Sequence, residues 1–202
     1  MLRLMVVTAS GLLMLLGGTQ GAAPKAAGEF GYTAKGEMVF PAEYRQWVYL
    51  SSGLGMSYTA SPVAHPMFDN VFVNPAAYKA FLATGTWPDK TALVLEVRGA
   101  VAHASIDEHG SSQSPELMGV EVHVKDARLA GGWGFFSFDD DHKPAAVTAR
   151  PASCYTCHEE HGAVDTTFAQ FYPTLIGVAK DKKTLSAAYL KESSGPPEEK
   201  TR

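Results

Sequence analysis

Residues 118–124, MGVEVHV, alternate between apolar and polar or small side chains. A period of two is typical of a β-strand, and it places the three valines on one face with Glu121 and His123 outward on the other. Residues 92–100, ALVLEVRGA, repeat the pattern, with Leu95 on an apolar face. The two stretches therefore predict strands that bury one side and expose the other.

Shorter β-rich runs lie on both sides of these strands, at residues 47–51, 70–73 and 133–138. Consecutive strands that are joined by loops, with only isolated helices between them, favour an antiparallel sheet. We therefore expect an α+β fold that is mainly β, built as an antiparallel sheet domain with a few short helices.

Two helices are expected from local signals. Asn74 and Pro75 suit a helix start, because asparagine caps well and proline has no N–H to leave unpaired there, and Gly85 suits the end. Further along, apolar side chains recur at helical spacing over residues 168–175, with Asp165 as the expected cap. Both helices are expected to be short.

The composition is that of a globular protein. Of the 202 residues, 46% are hydrophobic and 19% are charged, and the formal net charge is −4. Such a chain is too apolar to be disordered and too mixed to span a membrane repeatedly. Because a negatively charged chain of this kind carries no basic stripe, nucleic acid is not expected as a partner.

The two ends of the chain are expected to lie outside the folded domain. Residues 1–22 predict a cleaved secretory signal, because Arg3 precedes an apolar run that is too short to span a membrane. Residues 192–202 are rich in serine, proline and charged side chains and predict a disordered tail. One domain is expected over residues 36–180, and the mature protein is expected to be periplasmic or secreted.

Both cysteines of the chain lie in CYTCH, residues 154–158. This C-x-x-C-H spacing is the attachment signature of a c-type haem. On one helical turn Cys154 and Cys157 share a face, so both sulfurs can bond to the porphyrin edge, and His158 can ligate the iron. A thioredoxin-like site would need a βαβ setting, and a zinc site would need further ligands for which no cysteine remains. The sequence therefore predicts one covalently bound haem c near the C-terminal end.

The group opposite His158 decides what such a haem does. A second protein ligand makes an electron carrier, whereas an open site permits ligand binding or catalysis. The methionines beyond the signal segment lie in strand-like or loop-like contexts that are typical of core filling. Most histidines lie in polar loops, and His65, beside an apolar run, is the one retained as a distal-pocket candidate. With no clear sixth ligand, an open or water-bound site is favoured.

Eight short segments follow one another in a specific order: FPAEYRQWV (40–48), VFVNPAAY (71–78), GTWPD (85–89), GVE (119–121), VKD (124–126), GWGF (132–135), CYTCH (154–158) and FYP (171–173). In this order they resemble the cytochrome P-460 family, which includes the cytochromes c′-beta, over roughly residues 36–178. The resemblance implies a mainly antiparallel β fold and usually a homodimer. It also implies a five-coordinate c haem with an open distal face that is often capped by phenylalanine.

The resemblance implies one of two functions. The P-460 branch oxidises hydroxylamine and carries an extra lysine bond to the porphyrin, whereas the c′-beta branch lacks that bond and binds small gases such as nitric oxide. Leu95 occupies the position of the cross-linking lysine, and leucine cannot form the bond. Glu121 is a pocket acid candidate in either branch, with an outward, solvated carboxylate as the simpler interpretation.

A distal side that is apolar and lacks a proton-accepting group suits a neutral gas better than a reaction that must remove protons. We therefore expect an exported monohaem cytochrome that binds nitric oxide or a similar small ligand. One alternative is an oxidoreductase that acts on hydroxylamine or another nitrogen oxide. A second alternative is a low-spin electron-transfer cytochrome, which would need an electron-transfer partner.

Overall fold

The computed structural model describes residues 29–58, 63–139 and 141–194. The predicted secretory signal and residues 195–202 of the predicted tail lie outside the described residues. Residues 192 and 193, which were expected in the tail, belong to the last described helix. In the described part of the chain, no helix is long and apolar enough to cross a membrane.

The described chain contains seven strands, four α-helices and three short 3₁₀ turns. The strands are β1 (Gly31–Tyr32), β2 (Met38–Val39), β3 (Val48–Leu54), β4 (Met67–Val73), β5 (Ala92–Ala102), β6 (Ser111–Lys125) and β7 (Trp133–Phe138). The α-helices are α1 (Pro75–Thr84), α2 (Ser153–His161), α3 (Ile176–Lys182) and α4 (Ala187–Ser193). The 3₁₀ turns are Tyr44–Gln46, Ala130–Gly132 and Ala169–Phe171.

One antiparallel sheet organises the domain. Its five strands lie in the order β3-β4-β5-β6-β7, so each strand pairs with its neighbour in the chain. The register places Leu95 of β5 between Val71 of β4 and Glu121 of β6. The prediction of an α+β, mainly β fold with an antiparallel sheet and a few short helices is confirmed.

One face of the sheet packs against the N-terminal segment. Val94, Val122 and Phe136 lie side by side on this face and are fully buried. Met38 and Tyr44 cover them from β2 and the first 3₁₀ turn. The apolar face predicted for residues 118–124 is therefore a true core face.

The opposite face packs against the helices. Val73 and Leu93 project from the sheet into a cluster that includes Phe81 of α1, Trp87 of the next loop and Leu175, which precedes α3. Because much of both faces is covered, the alternation of side chains does not by itself separate buried from exposed positions, although Glu121 remains exposed as predicted.

Covering both faces buries polar groups as well. His123 was predicted to point outward, yet only 8% of its surface is exposed, because α2 and the loop after it cover that face. The outward prediction for His123 was therefore wrong. Glu96, on the other face, is 4% exposed and accepts hydrogen bonds from Tyr44, Arg45 and Arg98.

Helix α1 begins and ends where the sequence predicts. Pro75 is its first residue, and Gly85 follows its last residue with a φ of 76°, a left-handed conformation that suits glycine. Asn74 makes no side-chain capping bond. Its Oδ1 instead accepts from the Ala92 N–H at 2.9 Å, and its Nδ2 donates to the Lys90 carbonyl at 3.1 Å. The asparagine therefore joins the start of α1 to the start of β5.

The helix predicted for residues 168–175 with Asp165 as its cap does not form. Asp165 has a φ of 52°, and the chain around it makes an antiparallel bridge between Val164 and Thr167. Since both the hydroxyl and the N–H of Thr167 donate to the Val164 carbonyl, the backbone turns back on itself instead of starting a helix. A single 3₁₀ turn, Ala169–Phe171, follows.

Candidate functional site

Helix α2 carries the CYTCH motif. Cys154 and Cys157 are free thiols one helical turn apart, and both are partly exposed. Between them Tyr155 is buried, and its hydroxyl donates to the Thr148 carbonyl at 2.9 Å. The guanidinium of Arg150 lies 3.8 Å above the Tyr155 ring centroid. These contacts anchor the first turn of α2 to the segment before it.

The imidazole of His158 is partly buried and oriented by the backbone. Its Nδ1 lies 2.7 Å from the Thr166 carbonyl oxygen, so Nδ1 carries the proton and donates to that oxygen. Burial lowers the pKa of His158 below its ordinary value, which keeps the ring neutral at pH 7. This arrangement leaves the lone pair of Nε2 available to a metal.

Aromatic rings pack around His158. The ring centroid of Phe168 lies 4.1 Å from that of His158, and those of Phe135 and His123 each lie 4.8 Å away. Phe135 and His123 are stacked on each other, 4.0 Å apart with 7° between their planes. Rings packed at these distances restrict the rotation of the His158 side chain.

His123 is a site residue that the sequence did not reveal. Burial holds the pKa of His123 well below its ordinary value, and the nearby His158 and Arg150 act in the same direction, so this ring is neutral too. Its Nε2 lies 3.4 Å from the Thr166 hydroxyl. The alternation of β6 places His123 on the correct face, but nothing local shows that α2 covers that face.

A cavity of about 310 Å³ adjoins His158. Its apolar wall includes Val71 of β4 and Leu93 and Leu95 of β5, and Phe135 lines it beside the histidine. Leu95, a predicted distal-pocket residue, therefore does line this space. Phe135, Phe136 and Phe138 share β7, but Phe136 and Phe138 pack in the core on the other face of the sheet.

Two carboxylates also line the cavity. Glu121, a predicted pocket residue, lies opposite Leu95 in the register of the sheet. Asp69 of β4 is the second, and the sequence analysis did not identify it. Burial raises the pKa of Asp69, and the charge of Glu121 raises it further. The cavity beside His158 therefore contains two groups that can accept a proton, whereas the sequence analysis expected none on the distal side.

A signal for Asp69 was present in the sequence. Asp69 alternates with Val71 and Val73, so all three share one face of β4. The strand was predicted to begin at residue 70, one residue too late to include it.

The positions of His65 and Met56 relative to the cavity differ from those that the sequence predicted. His65 is exposed in the segment before β4 and is not among the residues that line the cavity. Met56, in the loop after β3, does line it. Its sulfur packs so closely on Gly53 that any side chain at that position would collide with it. Met56 therefore brings a thioether, a group that can ligate haem iron, to the cavity.

The donor set fits a c-type haem. Two thiols one turn apart can form the two thioether bonds, and a neutral imidazole with a free Nε2 can ligate iron. Cys154, Cys157 and His158 would hold the group, beside a wall that is apolar apart from a few polar side chains. The residues present are thus those that covalent attachment and axial ligation require.

A family model described as Cytochrome P460 matches residues 41–169. The match spans more than half of the chain and includes the strands of the five-stranded sheet and the CYTCH motif. It confirms the resemblance to that family and indicates a c-type haem protein. No curated protein matches the chain.

Proposed function

The chain belongs to the cytochrome P460 family, and from that premise we propose that it is an exported cytochrome with one covalently bound haem c. Its iron would keep an open distal position for nitric oxide or a similar small ligand. Cys154 and Cys157 would anchor the haem, and His158 would be the proximal ligand.

The placement of His158 carries this proposal. Its Nδ1 is engaged by the Thr166 carbonyl, so its Nε2 is the free ring nitrogen beside the cavity. The second imidazole of the cavity, His123, contacts His158 and stacks on Phe135, so it lies on the side of the proximal ligand. When bound, the haem would supply an iron with one axial position at which a neutral diatomic gas binds.

Leu95 supports gas binding over the chemistry of the P-460 branch. It lines the cavity at the position where the resemblance places the cross-linking lysine. A leucine forms no covalent bond to a porphyrin. With Val71 and Leu93 it gives the cavity an apolar wall, which excludes water and favours a neutral ligand over a charged one.

A second candidate function is the oxidation of hydroxylamine or a related nitrogen oxide. Asp69 and Glu121 favour it, because such an oxidation releases protons and both carboxylates line the cavity. Burial and the nearby charge of Glu121 raise the pKa of Asp69, so this carboxyl holds a proton more readily than an ordinary aspartate. Electrons would pass to an external acceptor.

The test is a set of absorption spectra of the purified protein, ferric and ferrous, with and without nitric oxide. The proposal predicts high-spin spectra in both redox states and a clear Soret shift on adding nitric oxide, with no turnover of hydroxylamine. A low-spin ferric spectrum that neither nitric oxide nor cyanide alters would refute it and favour electron transfer. In that case a Met56→Leu variant would become high-spin if Met56 is the sixth ligand.

Turnover assays separate the second candidate from the first. A red-shifted Soret band in the reduced protein, together with hydroxylamine-dependent reduction of an added acceptor, would favour the oxidoreductase. The rate should then fall in Asp69→Asn and Glu121→Gln variants. A Glu116→Gln variant is the matched control, because this exposed residue lies on the same strand as Glu121 but does not line the cavity.

A further inference from the structure

We propose that Trp87 and Thr167 are positioning residues for the axial histidine. The geometry points to a chain of hydrogen bonds that holds the Thr166 carbonyl against His158 Nδ1 and so sets the electron density that the imidazole offers to iron. The inference rests on the proposed role of His158 as the iron ligand. Of the groups in this series of hydrogen bonds, His158 alone belongs to the CYTCH motif.

The first link is the loop that carries the Thr166 carbonyl. The oxygen accepts from His158 Nδ1 at 2.7 Å. On either side of Thr166, the bridge between Val164 and Thr167 closes the loop, with Thr167 N–H to Val164 O at 3.0 Å. The Thr167 hydroxyl also donates to the Val164 carbonyl oxygen, at 2.8 Å. The direction of the Thr166 carbonyl therefore depends on how Thr167 is held.

The second link is the indole of Trp87. Its Nε1–H donates to the Thr167 hydroxyl oxygen at 2.8 Å. Trp87 is 2% exposed and packs on Phe81 of α1, with 4.3 Å between ring centroids, so the donor is fixed in the core. The Thr167 hydroxyl accepts from Trp87 and donates to Val164, which uses its one proton and fixes its orientation.

Further contacts hold the loop around Thr166 against the sheet and against α2. Lys125 of β6 donates to the Trp87 carbonyl at 2.8 Å and pairs with Asp165 at 2.9 Å. At the end of α2, a side chain on Gly162 would lie 2.6 Å from the His158 carbonyl and 2.9 Å from the Thr167 nitrogen. The glycine thus lets the loop lie directly against the helix that carries the histidine.

The consequence for the iron follows from the strength of the Nδ1 hydrogen bond. An Nδ1–H that donates to a fixed carbonyl gives the imidazole more anionic character and makes Nε2 a stronger donor. A stronger donor stabilises the ferric over the ferrous state and strengthens the iron–histidine bond. A loop released from Trp87 would let the carbonyl move away, and both effects would weaken.

The test uses the haem-loaded protein and three variants. Thr167→Val removes the hydroxyl at nearly constant shape, Trp87→Phe removes the indole N–H, and Thr167→Ser keeps the hydroxyl. The matched control is Thr184→Val, which removes another loop hydroxyl that donates to a carbonyl, that of Gly85 at 2.7 Å. The readouts are the iron–histidine stretching frequency of the ferrous protein by resonance Raman spectroscopy and the reduction potential.

We expect Thr167→Val and Trp87→Phe to lower the stretching frequency and raise the potential, while Thr167→Ser and Thr184→Val stay at the wild-type values. A further variant that combines Trp87→Phe with Thr167→Val should shift no further than Thr167→Val alone, because Trp87 acts through Thr167. Unchanged frequency and potential in a folded, haem-loaded Thr167→Val protein would overturn the proposal. Should that variant fail to fold, the same readouts on Trp87→Phe decide.

Failure of the proposed function would look different. A wild-type ferrous protein with a low-spin, six-coordinate spectrum would contradict an open distal site. The reduction potentials of the variants would still test the hydrogen-bond chain, because the axial histidine ligates the iron in both cases. An unshifted potential in Thr167→Val would then overturn the positioning role independently of the distal site.

Discussion

Replacing Glu96 by glutamine should destabilise the domain by about 3 kcal/mol. Glu96 is buried on β5, where it accepts hydrogen bonds from the Tyr44 hydroxyl and from the guanidinium groups of Arg45 and Arg98. The substitution keeps the size of the side chain and removes its charge. It therefore isolates the contribution of one buried carboxylate to the sheet that forms the cavity wall.

The magnitude follows from the exposure of each partner. Hydrogen bonds to a charged group contribute about 1.5 to 3 kcal/mol each. The bonds from Tyr44 and Arg98 lie in this range, because the Tyr44 residue is 1% exposed and the Arg98 side chain 17%. The Arg45 side chain is 53% exposed, so water screens its ion pair and its share is below about 1 kcal/mol. Glutamine retains one acceptor, which reduces the loss to about 3 kcal/mol in total.

The loss of stability in Glu96→Gln should also depend on pH. Burial raises the pKa of Glu96, but the hydrogen bonds from Arg98, Tyr44 and Arg45 outweigh it, so the pKa is lower than usual. A group with a lowered pKa stabilises the fold above its unfolded pKa of about 4.3 and loses that contribution as the pH falls through its folded pKa. The difference in free energy of unfolding between wild type and Glu96→Gln should therefore be largest near pH 7 and should decrease below about pH 4.

Urea unfolding of both proteins at several pH values measures this gap. Glu116→Gln, an exposed change on β6, is the control and should stay within about 0.5 kcal/mol of wild type. A Glu96→Gln protein as stable as wild type at pH 7 would refute the reasoning. So would a gap that stays constant down to pH 3.

Three further substitutions should lower stability or haem loading. Asn74→Ala removes both hydrogen bonds that join α1 to β5 and should cost about 2 kcal/mol in urea unfolding; a loss below about 0.5 kcal/mol would contradict that role. Gly162→Ala places a methyl group 2.6 Å from the His158 carbonyl, so haem content per chain, measured by the pyridine haemochrome assay, should fall; full loading would contradict it. Asp126→Asn removes a buried carboxylate whose pKa is lowered by Arg128 and by Lys90. Because both partner side chains are more than half exposed, the cost at pH 7 should be about 1 to 2 kcal/mol, and it should shrink progressively as the pH falls below about 3.9; a pH-independent cost would exclude the ion pairs.

Much of the fold could be predicted because it depends on local patterns. The alternation of β5 and β6 and the proline and glycine that bound α1 are read from neighbouring residues. The structure places β5 and α1 where the sequence indicated, whereas β6 contains the predicted stretch 118–124 but begins earlier, at Ser111. The residues of the CYTCH motif needed no tertiary information to be recognised, because their spacing alone brings both thiols to one turn of α2.

The wrong predictions concern positions whose local structure or burial depends on tertiary contacts. Apolar spacing over residues 168–175 suggested a helix, but hydrogen bonds from Thr167 to Val164 turn the backbone back. His123 was expected in solvent because a period of two marks two faces of a strand and cannot show that both are covered. Asp69 was missed because the predicted strand began at residue 70, three residues after the true start of β4 at Met67, although its alternation with Val71 places it on the cavity face.

The most direct test of the central claim is the intact mass of the purified, exported protein. Covalent attachment through Cys154 and Cys157 predicts a mass equal to the mature polypeptide plus one haem, which persists after denaturation in acid. A Cys154→Ser, Cys157→Ser double variant should show the polypeptide mass alone. A wild-type protein with the bare polypeptide mass, expressed in cells that attach haem to other c-type cytochromes, would contradict the claim.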